Sequence, residues 1–178
     1  MKGIVFTELV EHVERAHGTD MADRIIERAC PRSGGSYTAV GDYHHAELIA
    51  LVGAMAAQTG RSAGEIQRDF GRALFARLAA RKTSILPGSA FECLVQVESI
   101  IHRDVRMLYP SAELPSIVCE RRGSDILVVD YASERPFADL ARGLIEGCLA
   151  HYGERAEIRE EEQDGARRRR FVLTRLAA

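Results

Sequence analysis

Tyr131-Ala132-Ser133-Glu134-Arg135 marks the point where this 178-residue chain has already changed its hydrophobic period, and the fold is read outward from it. Just before it, residues 117–122 and 125–131 are rich in Ile, Val and Leu. Gly123-Ser124 between them supplies a two-residue turn, so the pair predicts a β-hairpin. Just after it, Pro136 suits the first position of a helix, where its missing N–H costs nothing, and the apolar spacing carries that helix to about His151. Gly153 ends it. Residues 156–162 and 167–176 then predict a second hairpin about Asp164-Gly165, the strongest short hairpin signal in the chain.

Upstream, the period is helical. Val5, Leu9 and Val13 recur at i, i+4 and i+8, with Gly18 as a stop. Asp20 is placed to cap a second helix that ends before Pro31, and Ser33-Gly34-Gly35-Ser36 reads as a loop. After Asp42 comes an apolar helix through Leu48, Leu51, Val52 and Met55, closing near Gly60. Ser62 and Glu65 have the spacing of a capping box, in which each side chain satisfies a free amide of the first turn. The helix they open sets Ile66, Phe70, Leu74 and Leu78 on one face. Ser89 and Glu92 repeat the signal before a helix carrying Leu94, Val97, Ile101, Val105 and Leu108 toward Tyr109-Pro110. Helices first and antiparallel strands later predict an α+β fold, a helical N-terminal part packed on a C-terminal part with sheet and helices. The length suits one domain, 1–178, with a helical subdomain over 1–60 and a C-terminal subdomain over 61–178.

Composition narrows the function. The chain is 46% hydrophobic and 28% charged with a formal charge of -2, an ordinary globular balance with no global pull toward nucleic acid or anionic membrane. The first residues carry acidic groups and lack a cleavable apolar core, and no uncharged apolar run reaches about eighteen residues, so neither signal peptide nor membrane span is expected. A cytoplasmic protein is the expectation. Cys30, Cys93, Cys119 and Cys148 form no C-x-x-C pair and read as reduced thiols, mostly packed as small hydrophobes. The basic run Arg167–Arg170 is expected to pair with Glu160–Glu162 across the second hairpin, Arg169 opposite Glu160 and Phe171 opposite Ile158, rather than to bind nucleic acid. His12 and His17 lie five apart, about 140° around a helix, and cannot share a metal as an H-E-x-x-H pair does. They are expected at the surface, as are His44 and His45. No nucleophile elbow and no phosphate loop is present, so no enzyme is expected.

His102 stands apart, on the apolar helix Ile100-Ile101-His102-Arg103-Asp104-Val105. A histidine so placed is ordinarily a satisfied core residue; a neutral imidazole in apolar surroundings is also what haem iron takes as its proximal ligand. Tyr131, Ser133 and Arg135 bear on the choice. At i, i+2 and i+4 of an extended chain they share a face, and a phenol, a hydroxyl and a guanidinium side by side can hold carboxylates such as the haem propionates. By itself Y-x-S-x-R is weak, and a polar strand end before a helix would read the same.

Taken together these segments resemble the haem–nitric oxide/oxygen binding (H-NOX) domain, the domain that also forms the sensor of soluble guanylate cyclase. Met1-Lys2-Gly3 before an amphipathic helix is similar to that family's start. Ile101-His102 to Leu108-Tyr109-Pro110 resembles its proximal-histidine helix, Leu114-Pro115-Ser116 its haem-contacting proline segment, and Tyr131, Ser133 and Arg135 its Y-x-S-x-R motif. Gly143-Leu144-Ile145-Glu146-Gly147 is similar to the helix that follows. The order and spacing of the matches, along essentially the whole chain, are specific.

The resemblance implies a b-type haem between the two parts. His102 would be its sole protein ligand, Tyr131, Ser133 and Arg135 would hold its propionates, and Pro115 would press on the macrocycle. It also implies a gas sensor: nitric oxide binds the ferrous iron, the bond to His102 weakens, the haem flattens and the two parts rotate. With no catalytic domain in the chain, the signal would pass to a separate histidine kinase or cyclic-di-GMP enzyme. In oxygen-binding members a distal tyrosine donates to bound oxygen; counting along this chain puts Leu140 there, with Leu9 and Leu74 at the supporting positions and Val5, Leu78 and Leu144 around them. An aliphatic pocket implies binding of nitric oxide and carbon monoxide without a stable oxygen complex. The zinc site of some members is expected to be absent, since the corresponding region lacks cysteine. Two other readings are weighed: a haem-free interaction or redox module of the same fold, opposed by the intact His102 and propionate residues, and a catalytic haem protein, opposed by the apolar distal positions.

Overall fold

Helix α1 (Gly3–His17) turns Phe6, Leu9 and Val13 inward and stops at Gly18, whose φ of 85° a side chain would resist. The protein was described from a computed structural model, which covers residues 1–81, 87–110 and 112–176. Helix α2 (Thr19–Ala29) follows directly, and Gly18 itself is the cap residue. Asp20 lies within the first turn, not at the cap as its residue type suggested; a carboxylate there favours the positive end of the helix dipole. Helix α3 (His45–Thr59) begins three residues after Asp42, with His44 Nδ1 accepting from the Ala46 amide at 3.2 Å. Helix α4 (Ala63–Arg81) opens on the expected capping box: Glu65 N–H donates to Ser62 Oγ at 3.2 Å and Ser62 N–H to Glu65 Oε2 at 2.9 Å.

The next helix is not continuous. Helix α5 (Ala90–Gln96), on which the Glu92 amide donates to Ser89 Oγ, widens into a π-helical turn (Val97–His102) before helix α6 (Arg103–Leu108) resumes the ordinary spacing. The strands follow as β1 (Ser116–Arg122), β2 (Ile126–Ala132), β3 (Ala156–Asp164) and β4 (Arg168–Arg175), with helix α7 (Ala138–His151) between the hairpins. They form one antiparallel sheet in the order β1-β2-β4-β3. Helix α7 starts two residues later than proline preference suggested, because Pro136 sits in the bend that ends the Y-x-S-x-R segment.

The second hairpin differs from expectation by two residues. Phe171 faces Glu160, and Ile158 faces Leu173, because an irregularity between Glu162 and Asp164 lengthens the turn. A slip of two leaves every side chain on its expected face, since the strand period is two. Ile158, Phe171 and Leu173 therefore still point into the core. The basic run is still paired with carboxylates: Arg169 Nη1 bonds Glu160 at 2.9 Å and Asp139 at 2.7 Å, and Arg170 Nε bonds Asp130 at 2.7 Å.

Two apolar clusters result among the described residues. One gathers α1, α2, α3 and the first half of α4 with Phe137 and Leu140; the other packs α5 and the opposite face of α7 on the sheet. The two meet at the α4–α7 pair, which approaches through glycine. A Cβ at Gly71 would stand 2.4 Å from the Leu140 carbonyl oxygen, and one at Gly143 only 2.1 Å from that of Arg68. Beside this contact Glu146 accepts from Arg68 Nε at 2.9 Å, Arg142 Nε at 2.8 Å and Arg72 Nη1 at 2.7 Å. All four cysteines are free thiols: Cys93 and Cys148 are buried, Cys119 half-buried and Cys30 exposed. Among the described residues no helix is long and apolar enough to cross a membrane.

Candidate functional site

His102 closes the π-helical turn. Its Nδ1 lies 2.9 Å from Glu98 Oε2, one turn back along the helix. A carboxylate can only accept, so Nδ1 is the donating nitrogen of this contact, and a neutral imidazole so held carries on Nε2 the lone pair a metal needs. The residues around it, Val97, Ile100, Ile101 and Val105, are each only half-buried, in contrast to the closed cores on either side. An apolar helix face left partly accessible is one that a flat macrocycle could cover. Among the described residues no group of three or more His, Cys, Asp and Glu side chains stands ready to hold a metal ion. A single histidine suffices for an iron whose other ligands come from a macrocycle.

Glu98 also accepts from the Ile117 amide at 3.4 Å and, through Oε1, from Arg106 Nη2 at 2.7 Å. This joins the His102 segment to the start of β1, immediately after Pro115. Pro115 is half-buried.

Tyr131, Ser133 and Arg135 come together, though not along an extended strand. Strand β2 ends at Ala132, and the chain bends over 134–136, where the Arg135 amide donates to Ser133 Oγ at 3.1 Å. Such local side-chain bonds favour turns over sheet. Tyr131 and Arg135 are buried; burial pushes the Tyr131 phenol upward, against the pull of the neighbouring Ser133 hydroxyl and Arg135 charge. Arg135 donates from Nη1 to the Glu113 carbonyl at 3.0 Å and from Nη2 to the Glu113 carboxylate. The cluster thus already binds a carboxylate, the chemistry that propionates require, and ties the Leu114-Pro115 segment to the motif.

On the helical side, Leu9, Leu74 and Leu140 are buried in one cluster, with Val5 and Leu144 packed against it. Leu78 is 39% exposed and stands outside that cluster. Two tyrosines border the same cluster, and both hydroxyls are engaged elsewhere: Tyr37 donates to Glu47 Oε2 at 3.1 Å, and Tyr43 to the Ser36 carbonyl at 3.4 Å. His12 is half-buried against Phe70 rather than fully at the surface, and burial lowers its pKa; His17 is exposed. Both line an open cleft of about 340 Å³ with Met55, Arg61, Asp69 and Arg72, which includes none of the expected haem contacts.

Sequence reasoning missed Glu98 and Glu113. Glu98 carried a signal, its i, i+4 spacing from His102. Glu113 carried none, because its partner is distant in sequence.

The Haem-NO-binding family profile matches residues 2–160. The chain belongs to this family. The Fe(II) unliganded H-NOX protein of K. algicida is similar over 100% of this chain and 98% of its own, with 30% identity and a TM-score of 0.93. An S. oneidensis H-NOX protein in the Fe(II)NO state shares the fold at 24% identity and a TM-score of 0.91, over 99% of this chain and 100% of its own. The SO2144 H-NOX domain of Shewanella oneidensis in the Fe(II)CO state does so at 24% identity and a TM-score of 0.88, over the whole of both chains. No curated protein matches the chain. As an H-NOX domain the chain is a haem-binding gas sensor for signal transduction, a sensor domain and not an enzyme.

Proposed function

We propose that this H-NOX domain is a nitric oxide sensor that discriminates against oxygen, with a b-type haem held by His102. When bound, the ferrous iron supplies an open coordination position for a diatomic gas. His102 Nε2 would hold the iron while Glu98 holds Nδ1. Arg135, with Tyr131 and Ser133, would neutralise the propionates, and Pro115 would bear on the macrocycle.

The observation that carries the selectivity is the meeting of Val5, Leu9, Leu74, Leu140 and Leu144 within one apolar cluster whose two bordering tyrosine hydroxyls are spent on other acceptors. Oxygen gains negative character on ferrous iron and is retained by a distal donor; nitric oxide and carbon monoxide need no such help. Leu78, apolar and accessible, completes the proposed wall. Residues 1–60 and 61–178 would shift against each other as His102 is released. The output would reach a separate partner, a histidine kinase or cyclic-di-GMP enzyme, in the cytoplasm.

Air exposure of the ferrous protein, followed by absorption spectroscopy, tests the selectivity. A spectrum with no persistent oxygen complex, alongside saturable changes with nitric oxide and carbon monoxide, is expected; a stable oxygen complex overturns the reading. His102→Gly should abolish tight haem binding or make it depend on added imidazole, and an unaltered spectrum would refute the ligand assignment.

A further inference from the structure

We propose that Glu98 is a positioning residue for the iron ligand: by accepting from His102 Nδ1 it orients the imidazole, makes Nε2 a stronger donor, and so sets how firmly iron is retained when gas binds. The inference rests on His102 being the ligand. A carboxylate on the far nitrogen of a metal-bound histidine fixes the tautomer and raises ligand basicity. An i, i+4 carboxylate–histidine pair on an exposed helix contributes little and would carry no such meaning. Here the geometry is different in three respects. The pair spans the π-helical turn, a departure from regular helix that concentrates at functional sites. The His102 side chain is only 13% exposed. The carboxylate is also held from two other directions, by Arg106 Nη2 at 2.7 Å and by the Ile117 amide at 3.4 Å.

These two further bonds give Glu98 a position independent of His102. The carboxylate cannot simply follow the imidazole if the ring leaves the iron, because Arg106 and β1 retain it. Release of His102 therefore has to stretch or break the Nδ1 bond, and Glu98 opposes release. Arg106 works the other way: it draws negative charge toward Oε1 and weakens what Oε2 offers to His102. Ligand strength is set by the balance of the two.

Glu98→Gln keeps the shape and an acceptor oxygen but removes the charge. Resonance Raman spectroscopy of the ferrous protein reads the iron–histidine stretch directly. The variant should show it at lower frequency than wild type, lose the His102 bond in a larger fraction of molecules under nitric oxide, and release haem about 10-fold faster. Arg106→Gln should move the stretch to higher frequency. A Glu98→Gln stretch equal to wild type overturns the proposal. If Glu98→Gln fails to load haem, Arg106→Gln decides: a rise supports the role of Glu98, and an unchanged frequency overturns it. Failure of the ligand assignment looks different, since His102→Gly would then keep the wild-type band.

Discussion

Arg135 reaches back to Glu113, holding both its backbone carbonyl, at 3.0 Å, and its carboxylate. The guanidinium is buried while the Glu113 side chain is 82% exposed. A sunken, permanently charged fork is thus presented to a carboxylate that solvent can reach, an arrangement from which a second carboxylate could take over one arm without the arginine moving far.

Arg135→Ala should therefore cost more haem than Tyr131→Phe or Ser133→Ala, since only Arg135 brings full charge and a bidentate fork. Loss of its charged hydrogen bonds should also destabilise the protein by about 1.5–3 kcal/mol. Haem occupancy after purification and chemical denaturation check both; wild-type occupancy in Arg135→Ala would remove the propionate role.

Leu140→Tyr places a phenol among Leu9, Leu74 and Leu144, where the hydroxyls of Tyr37 and Tyr43 are already bonded to other acceptors. The variant is expected to gain a measurable oxygen complex in air, in contrast to wild type, while still binding carbon monoxide. Absorption spectra of the ferrous variant under each gas decide it.

Pro115→Ala should leave haem occupancy largely intact while letting the macrocycle adopt a flatter shape than in wild type. Crystal structures of both with the same haem shape would count against a role for the rigid ring.

Gly143→Ala forces a Cβ to within 2.1 Å of the Arg68 carbonyl, a backbone atom that can give way only if α4 and α7 separate. Overpacking of this kind costs about 1–3 kcal/mol, or more. Gly53→Ala on α3 meets nothing within 4 Å and should stabilise by about 0.5–1 kcal/mol through helix propensity. Urea denaturation midpoints should move in opposite directions for the two.

Acid should weaken the α4–α7 contact. Burial alone would raise the Glu146 carboxyl, but hydrogen bonds from Arg68, Arg142 and Arg72 outweigh it and bring its pKa down from 4.5 to about 2. A carboxylate lowered in the folded state contributes stability that is present above the unfolded value and is lost as pH falls through the folded one. Glu146→Gln should therefore flatten the fall in stability between about pH 4.5 and 2, measured as the denaturation midpoint against pH.

What was legible in the sequence was what depends on neighbours along the chain. The Ser62–Glu65 box formed as read because both of its bonds are local, and the two hairpins appeared where Gly123 and Asp164-Gly165 placed them. The register of the second hairpin did not follow, because the irregularity after Glu162 depends on how the turn packs against the start of α7, where the Ala138 amide bonds the Ala166 carbonyl at 3.0 Å. Within the site, His102 and the Y-x-S-x-R residues were visible by type and spacing. The Arg135–Glu113 bond was not, since it joins residues 22 apart with no pattern between them. Likewise, Gly143 was noticed as part of a motif, but the reason for it, the Arg68 backbone pressed against it, belongs to another helix.

The π-helical turn ahead of His102 also bears on how this chain can vary in length. An α-helix advances by about 100° per residue, so one residue more or less rotates everything beyond it by that angle. Deleting one residue within 97–101 would let α5 run into α6 as an unbroken, better-bonded helix. Because the widened turn already takes up one residue more than an α-turn, that deletion would leave α6 nearly in its present phase while Phe91 and Leu94 stayed docked on the sheet. A second deletion, or an insertion, would find no such slack and would swing His102 about the axis, so the widened turn is where this helix can lose one residue without re-aiming its histidine.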